Sequence, residues 1–385
     1  MSSKANSFGA LKDARRIVIK IGSVLITNEA RDQVNTDWFS ALAQTIKSLN
    51  TDGDKEFIIV SSGGVALGRA AIGIGLSTPP SDIPLEQKQA SSAVGQFYMF
   101  QAYHAAMAAQ GIRAAQVLLT MGETENRRMH LNAREAMNTL MERGIIPVIN
   151  ENDVISTGEI RFGDNDRLAA RVAQMMDADA LILLSTIDGL YDDNPDKNPN
   201  ARHIAVVEAI TTQHEDMAGD PVPGLSTGGM KSKIEAAQSA TAAGIDVVIA
   251  DGRSNDGLAA LFGDENTRST LFVGAENKGS ARKRWIGSHV SPKGEIHIDD
   301  GALAALHSGK SLLPVGVKSV DGDFRRGDAV SIISAKTGKL GIGLAAYSSD
   351  DARMIAGKQS GEIRAILGYI GREELIHRND MMLAS

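Results

Sequence analysis

The chain has 385 residues, of which 43% are apolar and 23% charged, with no cysteine and a formal net charge of −7. This length suits two domains and the composition is that of a soluble globular protein; the lack of cysteine excludes disulfides, thiolate metal sites and a cysteine nucleophile. The N-terminus, MSSKANSFGALKDARR, has no apolar core of signal-peptide type, no apolar run is long enough for a bilayer, and the acidic balance argues against wholesale nucleic-acid binding. A cytoplasmic protein without a membrane partner is expected.

In chain order, short β-branched and aliphatic runs read as strands: RRIVIKIG (15–22), EFIIVSS (56–62), AAQVLLT (114–120), IIPVIN (145–150), ALILLS (180–185) and DVVIA (246–250). Helical patterns separate most of them: TDWFSALAQTIKSL, LEQKQASSAVGQFYMFQAYHAAM, ETENRRMHLNAREAMNTLMERG, DNDRLAARVAQMM and GGMKSKIEAAQSATAAG. Such alternation predicts an α/β fold, a mainly parallel sheet sandwiched by helices. GAENKGSARKRW (274–285) is polar and basic and reads as a linker; the predicted domains are 1–275 and 289–385, with the linker at 276–288. Charge changes there too: residues 275–385 carry 16 Lys+Arg against 13 Asp+Glu, whereas the rest carries 24 against 34.

Parallel sheets bind ligands at the carboxyl ends of their strands. Those ends carry Lys20-Ile21-Gly22-Ser23, Ser61-Ser62-Gly63-Gly64, Asn150-Glu151-Asn152-Asp153 and Ser185-Thr186. Small residues let a ligand approach the backbone, whose N–H groups hold phosphate oxygens. Gly63-Gly64 alone reads as a strand-to-helix turn. Lys20 lies inside an apolar run, where a lysine is costly without a partner, so a functional part is favoured over snorkelling to water.

A second cationic element is GLSTGGMKSKIEAAQSA (224–240). Lysines at a helix N-terminus oppose the helix dipole, and glycines there expose N–H groups; an anion resolves the conflict. No Walker A loop is present: at Gly309-Lys310-Ser311 the required first glycine falls on Ala304. The eight histidines show no metal-ligand spacing. Asp164, Asn165 and Asp166 follow a glycine at a helix start, where one acid would suffice as a cap.

The motifs VIKIGSVLIT, FIIVSSGGVALG, VLLT, LNAREAMNTL, IPVINENDVIS, EIRFGDNDRLAARVA and GLSTGGMKSKIEAA, in this order over 15–275, resemble bacterial glutamate 5-kinases of the amino-acid kinase family. KGEIHIDDGALAALHSGKSLLPVGVKSVDGDFRRGDAVSI resembles the PUA domain appended in many bacterial members. The resemblance implies that ATP with Mg²⁺ phosphorylates the γ-carboxylate of L-glutamate, the first step toward proline, with proline as feedback inhibitor, acting near the glutamate site through 155–165. It also implies homodimers or tetramers and handover of product to a glutamyl-phosphate reductase.

Carried over by position, Lys20 and Lys233 contact the transferred phosphoryl group, and Gly22, Ser62 and Gly63 line the centre of the site. Asn150, Asp153, Asp164 and Asn165 hold glutamate, Asp153 being a partner for its α-ammonium. Asp166 orients the two lysines. Ser185, Thr186, Thr227, Gly228, Gly229, Met230, Lys231, Ser232 and Lys233 line the nucleotide pocket. The family often has Thr-Asp where this chain has Ser185-Thr186, with Asp188 two residues on.

The residue chemistry agrees. A glutamate side chain, with a pKa near ~4.3, is already ionised and needs no general base. The reaction must bring one anion against another, which calls for fixed positive charge on the γ-phosphate. In the C-terminal region, GEIHIDDGA, SLLPVGVKSV, DAVSIIS and KLGIGLAAY read as short strands of a small β-barrel-like fold ending in a helix around 350–367. Arg325, Arg326 and Arg282-Lys283-Arg284 read as solvated surface and linker, which lends RNA binding little support. The alternatives are an RNA-binding or RNA-modifying protein led by its C-terminal domain, and a family member acting on aspartate, acetylglutamate or carbamate.

Overall fold

The structure is a computed structural model that describes residues 6–275 and 292–383, apart from 31, 51–52, 76, 157–164, 196, 219–228 and 370–371. By internal contacts the chain divides into two compact units, Met1–Glu125 with Asn132–Glu276, and Asn277–Ser385 with Asn126–Leu131. The expected linker at 276–288, with Arg282, Lys283 and Arg284, lies outside the described residues.

Among the described residues the first unit has ten strands: β1 (Arg16–Ile21), β2 (Glu56–Ser61), β3 (Arg113–Leu119), β4 (Ile145–Glu151), β5 (Ala180–Ser185), β6 (Leu190–Tyr191), β7 (His203–Ile204), β8 (Val206–Val207), β9 (Asp246–Asp251) and β10 (Ser269–Phe272). Eight of them form one sheet in the order β3-β4-β2-β1-β5-β9-β10-β8. Every neighbouring pair is parallel except β9–β10. The mainly parallel sheet predicted from the alternation is therefore present. β6 and β7 make a separate antiparallel pair.

β1 holds a central place because it is apolar on both faces, as a strand covered by helices on each side must be. Ile17, Ile19 and Ile21 enter one core with Phe39, Ile59, Ile182 and Tyr103. Val18 enters the other with Ile58, Val60, Leu181, Leu183, Leu168 and Val172. Side chains alternate along a strand, so Lys20 falls on the second face. That face is covered by the helices Asn165–Met175 and Met230–Ala242. The first face is covered by the helices Thr36–Leu49 and Leu85–Ala109.

The helix Gly64–Ala71 crosses Leu85–Ala109 at backbone contact. A Cβ on Gly68 would lie 1.8 Å from the Ser91 carbonyl oxygen, and one on Gly95 would lie 1.8 Å from that of Gly64. This crossing fixes the long helix against the end of β2. Long patterns were less accurately legible: the segment from 123 to 144 is two helices, Met121–Glu125 and Arg127–Glu142, rather than one.

The second unit has its own five-stranded sheet, β11 (Gly294–Ile298), β12 (Val317–Gly322), β13 (Ala329–Ser334), β14 (Gly338–Leu344) and β15 (Met381–Leu383), in the order β12-β11-β13-β14-β15. Its core contains Ile296, Val320, Phe324, Val330, Ile332 and Tyr347. The helix expected around 350–367 is two, Ser349–Ile355 and Ile363–Leu367. Gly357 lies between them at φ 75°, a left-handed turn that stops the first helix.

Gly95→Ala should destabilise the first unit by about 3 kcal/mol or more, because backbone blocks the new methyl. Gly263→Ala, at an exposed site with nothing within 4 Å, should be close to neutral. Urea unfolding of both variants checks the contrast.

Candidate active site

The carboxyl ends of β1, β2, β4 and β5 lie side by side in the sheet. After β2 the chain turns at Gly63, whose φ of 107° admits no ordinary side chain, and a Cβ there would lie 2.9 Å from Ile26 Cδ1. The Ser62 N–H donates to the Ile21 carbonyl at 3.2 Å, tying this turn to β1. The Ser62 hydroxyl oxygen is buried and has no hydrogen-bond partner among the described residues, so the turn presents a polar group that a ligand would satisfy. Gly22 and the helix Ser23–Ile26 follow β1 directly.

Below these turns sits an ion cluster. Asp166, in the first turn of Asn165–Met175, is fully buried. Lys20 Nζ lies 2.5 Å from its Oδ1 and Lys233 Nζ lies 3.1 Å from its Oδ2. The Ser232 hydroxyl donates to Oδ2 at 2.7 Å. Both lysines are only 4% exposed. Burial alone would push the Asp166 carboxyl up, but Lys20 and Lys233 outweigh it and hold the pKa at about 2. Burial pulls the Lys20 ammonium down, and Asp166 opposes that pull. Two buried ammonium groups converge on one carboxylate here, an arrangement that holds fixed charge close to the strand ends.

The neighbouring half of the site is polar without net positive charge. Asn165 Nδ2 donates to the Ser61 carbonyl and, at 2.9 Å, to Asn150 Oδ1, which accepts the Glu151 N–H at 2.9 Å. The Asn165 amide, expected to hold glutamate, thus has its N–H groups engaged within the site. It joins the ends of β2 and β4 to the helix that carries Asp166. Asp153 is 8% exposed, and its Oδ2 accepts the Ser92 hydroxyl. Burial raises its carboxyl above the usual range, while Ser92 and Gln96 work against that rise.

Of the residues expected around the nucleotide, Ser185 ends β5 and its carbonyl accepts the Gly252 N–H at 2.8 Å. Thr186 is exposed. Gly229 precedes the helix Met230–Ala242, with Met230 half-buried and Lys231 exposed. Asp188 is engaged by Tyr191, whose hydroxyl donates to it at 2.9 Å. Asp164, Thr227 and Gly228 lie outside the described residues, as does most of 155–165. Ser92, Gln96, Met99 and Tyr103 were not singled out in the sequence. They recur at helical spacing along one face of Leu85–Ala109, the signal that marks them as a stripe. Tyr103 is fully buried with its hydroxyl 2.9 Å from Ser61 Oγ, at the end of β2.

The family model described as "Amino acid kinase family" matches residues 15–251. The chain belongs to the amino acid kinase family. The PUA domain model matches residues 294–367. A protein of Ruegeria sp. named glutamate 5-kinase is 48% identical over 374 residues, 97% of this chain and 100% of that protein. A Brucella ovis protein of the same name is 48% identical over 373 residues, 97% of each chain. Among solved structures, UMP kinase from Ureaplasma parvum aligns with 67% of this chain and 98% of its own at 16% identity and a TM-score of 0.47. Within this amino-acid kinase chain, no helix of the described residues is long and apolar enough to cross a membrane.

Asp166→Asn leaves both buried lysines without their carboxylate and should cost about 3–5 kcal/mol in denaturant unfolding at pH 7. The wild-type contribution of Asp166 is present above its unfolded pKa of ~3.9 and disappears as pH falls through about 2. The variant should therefore lose less stability than the wild type as pH falls across that window.

Proposed function

We propose that this protein transfers the γ-phosphoryl group of ATP to the γ-carboxylate of L-glutamate, giving L-glutamyl 5-phosphate, the first step toward proline. The observation that carries this reading is the buried Lys20–Asp166–Lys233 cluster beside Asn150, Asp153 and Asn165. The 48% identity to proteins named glutamate 5-kinase, over nearly the full chain, supports glutamate above other acceptors.

The chemistry follows from charge. The γ-carboxylate is ionised near neutral pH and is itself the nucleophile. One carboxylate oxygen forms a bond to the γ-phosphorus as the bond to the β–γ bridging oxygen breaks, and ADP leaves with that electron pair. Charge spreads over the equatorial phosphoryl oxygens in such a transfer, and fixed cations already in place stabilise it. Lys20 and Lys233 supply those cations, and Asp166 keeps both aimed at the strand ends. The turn at Gly22, Ser62 and Gly63 gives the transferred group room against the backbone.

The nucleotide lies against Ser185, Thr186 and the segment from Thr227 to Lys233. Mg²⁺ would arrive on the ATP phosphates. Bound there, Mg²⁺ shields phosphate charge. Asp153 receives the α-ammonium of glutamate, and Asn150, Asp164 and Asn165 complete that half of the site. Feedback inhibition by proline, acting near the same half through 155–165, homo-oligomers, a cytoplasmic location and product handover to a glutamyl-phosphate reductase belong to this reading. The second unit, proposed as an appended module over 289–385, is assigned no RNA ligand.

The test uses hydroxylamine, which traps an acyl phosphate as its hydroxamate. Purified protein with MgATP should form hydroxamate with glutamate, and less when proline is added. Lys20→Ala and Lys233→Ala should each lower kcat by at least about a hundredfold. A folded, ATP-binding protein that yields no hydroxamate with glutamate, aspartate or acetylglutamate would overturn the assignment.

A further inference from the structure

Two buried polar side chains behind the proposed amine subsite have no part in phosphoryl transfer. Ser92 is fully buried and Gln96 is 5% exposed, both on the inner face of Leu85–Ala109. A serine inside a helix ordinarily bonds back to a carbonyl four residues earlier, as Ser91 does to Gln87 at 2.7 Å. Ser92 instead reaches across the sequence to Asp153 Oδ2.

Gln96 gives that bond a direction. Its Nε2 donates to the Glu151 carbonyl at 2.8 Å and to Ser92 Oγ at 3.0 Å. The first contact fixes which end of the amide faces β4, since a carbonyl only accepts. The second occupies Ser92 Oγ as an acceptor, so the single hydroxyl hydrogen is left for Asp153. A hydrogen bond to a carboxylate favours its charged form and fixes its orientation. Asp153 needs that help, because burial favours its neutral form.

The pair is also wedged in place. A Cβ on Gly64 would lie 2.9 Å from Gln96 Cγ and 3.1 Å from Ser92 Oγ. The same glycine starts the helix that follows the Ser62-Gly63 turn. The chain Glu151–Gln96–Ser92–Asp153 therefore spans from the β4 end to the β2 turn.

We propose that Ser92 and Gln96 are positioning residues for amine recognition: they hold the Asp153 carboxylate oriented for the α-ammonium of the amino-acid substrate. This rests on the glutamate reading above. It makes the amino group, rather than the carboxylate chain alone, a determinant of which acids the site accepts.

The experiment compares wild type, Ser92→Ala and Gln96→Leu, with thermal unfolding as a check on folding. Glutamate kinetics are read beside inhibition by glutarate, which has the same carboxylates and no amine. Ser92→Ala should raise the KM for glutamate about ten- to a hundredfold, the worth of a charge-assisted hydrogen bond. Gln96→Leu should raise it less, and in both variants kcat, the KM for ATP and the inhibition constant of glutarate should stay within about threefold. A general packing defect would weaken glutarate equally, and that result would overturn the proposal. So would an unchanged glutamate KM in both folded variants. In either case, wild-type turnover of glutamate leaves the proposed function standing. A wild type that prefers an acid without an amine overturns both.

Discussion

Everything at the strand ends depends on a single constraint: two lysines cannot be buried together without an anion between them. Asp166 is that anion, fully buried, with Lys20 on one carboxylate oxygen and Lys233 on the other. The three residues come from the central strand β1 and from two helices, so the ion cluster holds those elements in one register. Removing water from charged groups costs several kcal/mol for each ion. The arrangement stabilises the fold only in part. The cluster lies close to the strand ends, so the packing of the fold and the candidate site meet in the same three residues.

The sheet explains how the two halves of the site stay separate. Lys20 lies on one face of β1 because side chains alternate, and that face belongs to the helices carrying Asp166 and Lys233. Ser61, at the end of β2, is served from the opposite face by Tyr103 and Met99. One helix layer therefore builds the cationic half, and the other supports the polar half around Asn150 and Asp153. Asn165 joins them, since it sits beside Asp166 yet bonds to Ser61 and Asn150. The Gly64, Gly68 and Gly95 crossing brings the supporting helix near enough for Ser92 to touch Asp153.

Much of this was legible in the sequence, for identifiable reasons. Strands buried on both faces read as continuous apolar runs, so β1, β2, β4, β5 and β9 stood out, and Lys20 stood out as the exception inside one. Lysines at a helix start conflict with the dipole, which drew attention to Lys233. The short strands β6, β7, β8 and β10 left no comparable signal, because two to four residues cannot establish a period. The break near Asn126 and the stop at Gly357 were read through as helix. Ser92 and Gln96 were passed over because serine and glutamine on a long helix look like solvated positions. Only the packing against Gly64 and Glu151 shows that they are buried. Asn165 was seen as a ligand donor, and its internal bonds to β2 and β4 needed coordinates.

If Lys20 and Lys233, held by Asp166, meet the phosphoryl group in flight, a trapped transfer state should show both contacts. The most direct measurement is a crystal structure with MgADP, aluminium fluoride and glutamate. The fluoride group should lie within about 3 Å of both Nζ atoms, the distance of a charge-assisted contact, with Asp166 still bridging the two lysines and the glutamate amine at Asp153. A fluoride group bound away from both lysines, with the Asp166 cluster intact and turned from it, would contradict the account.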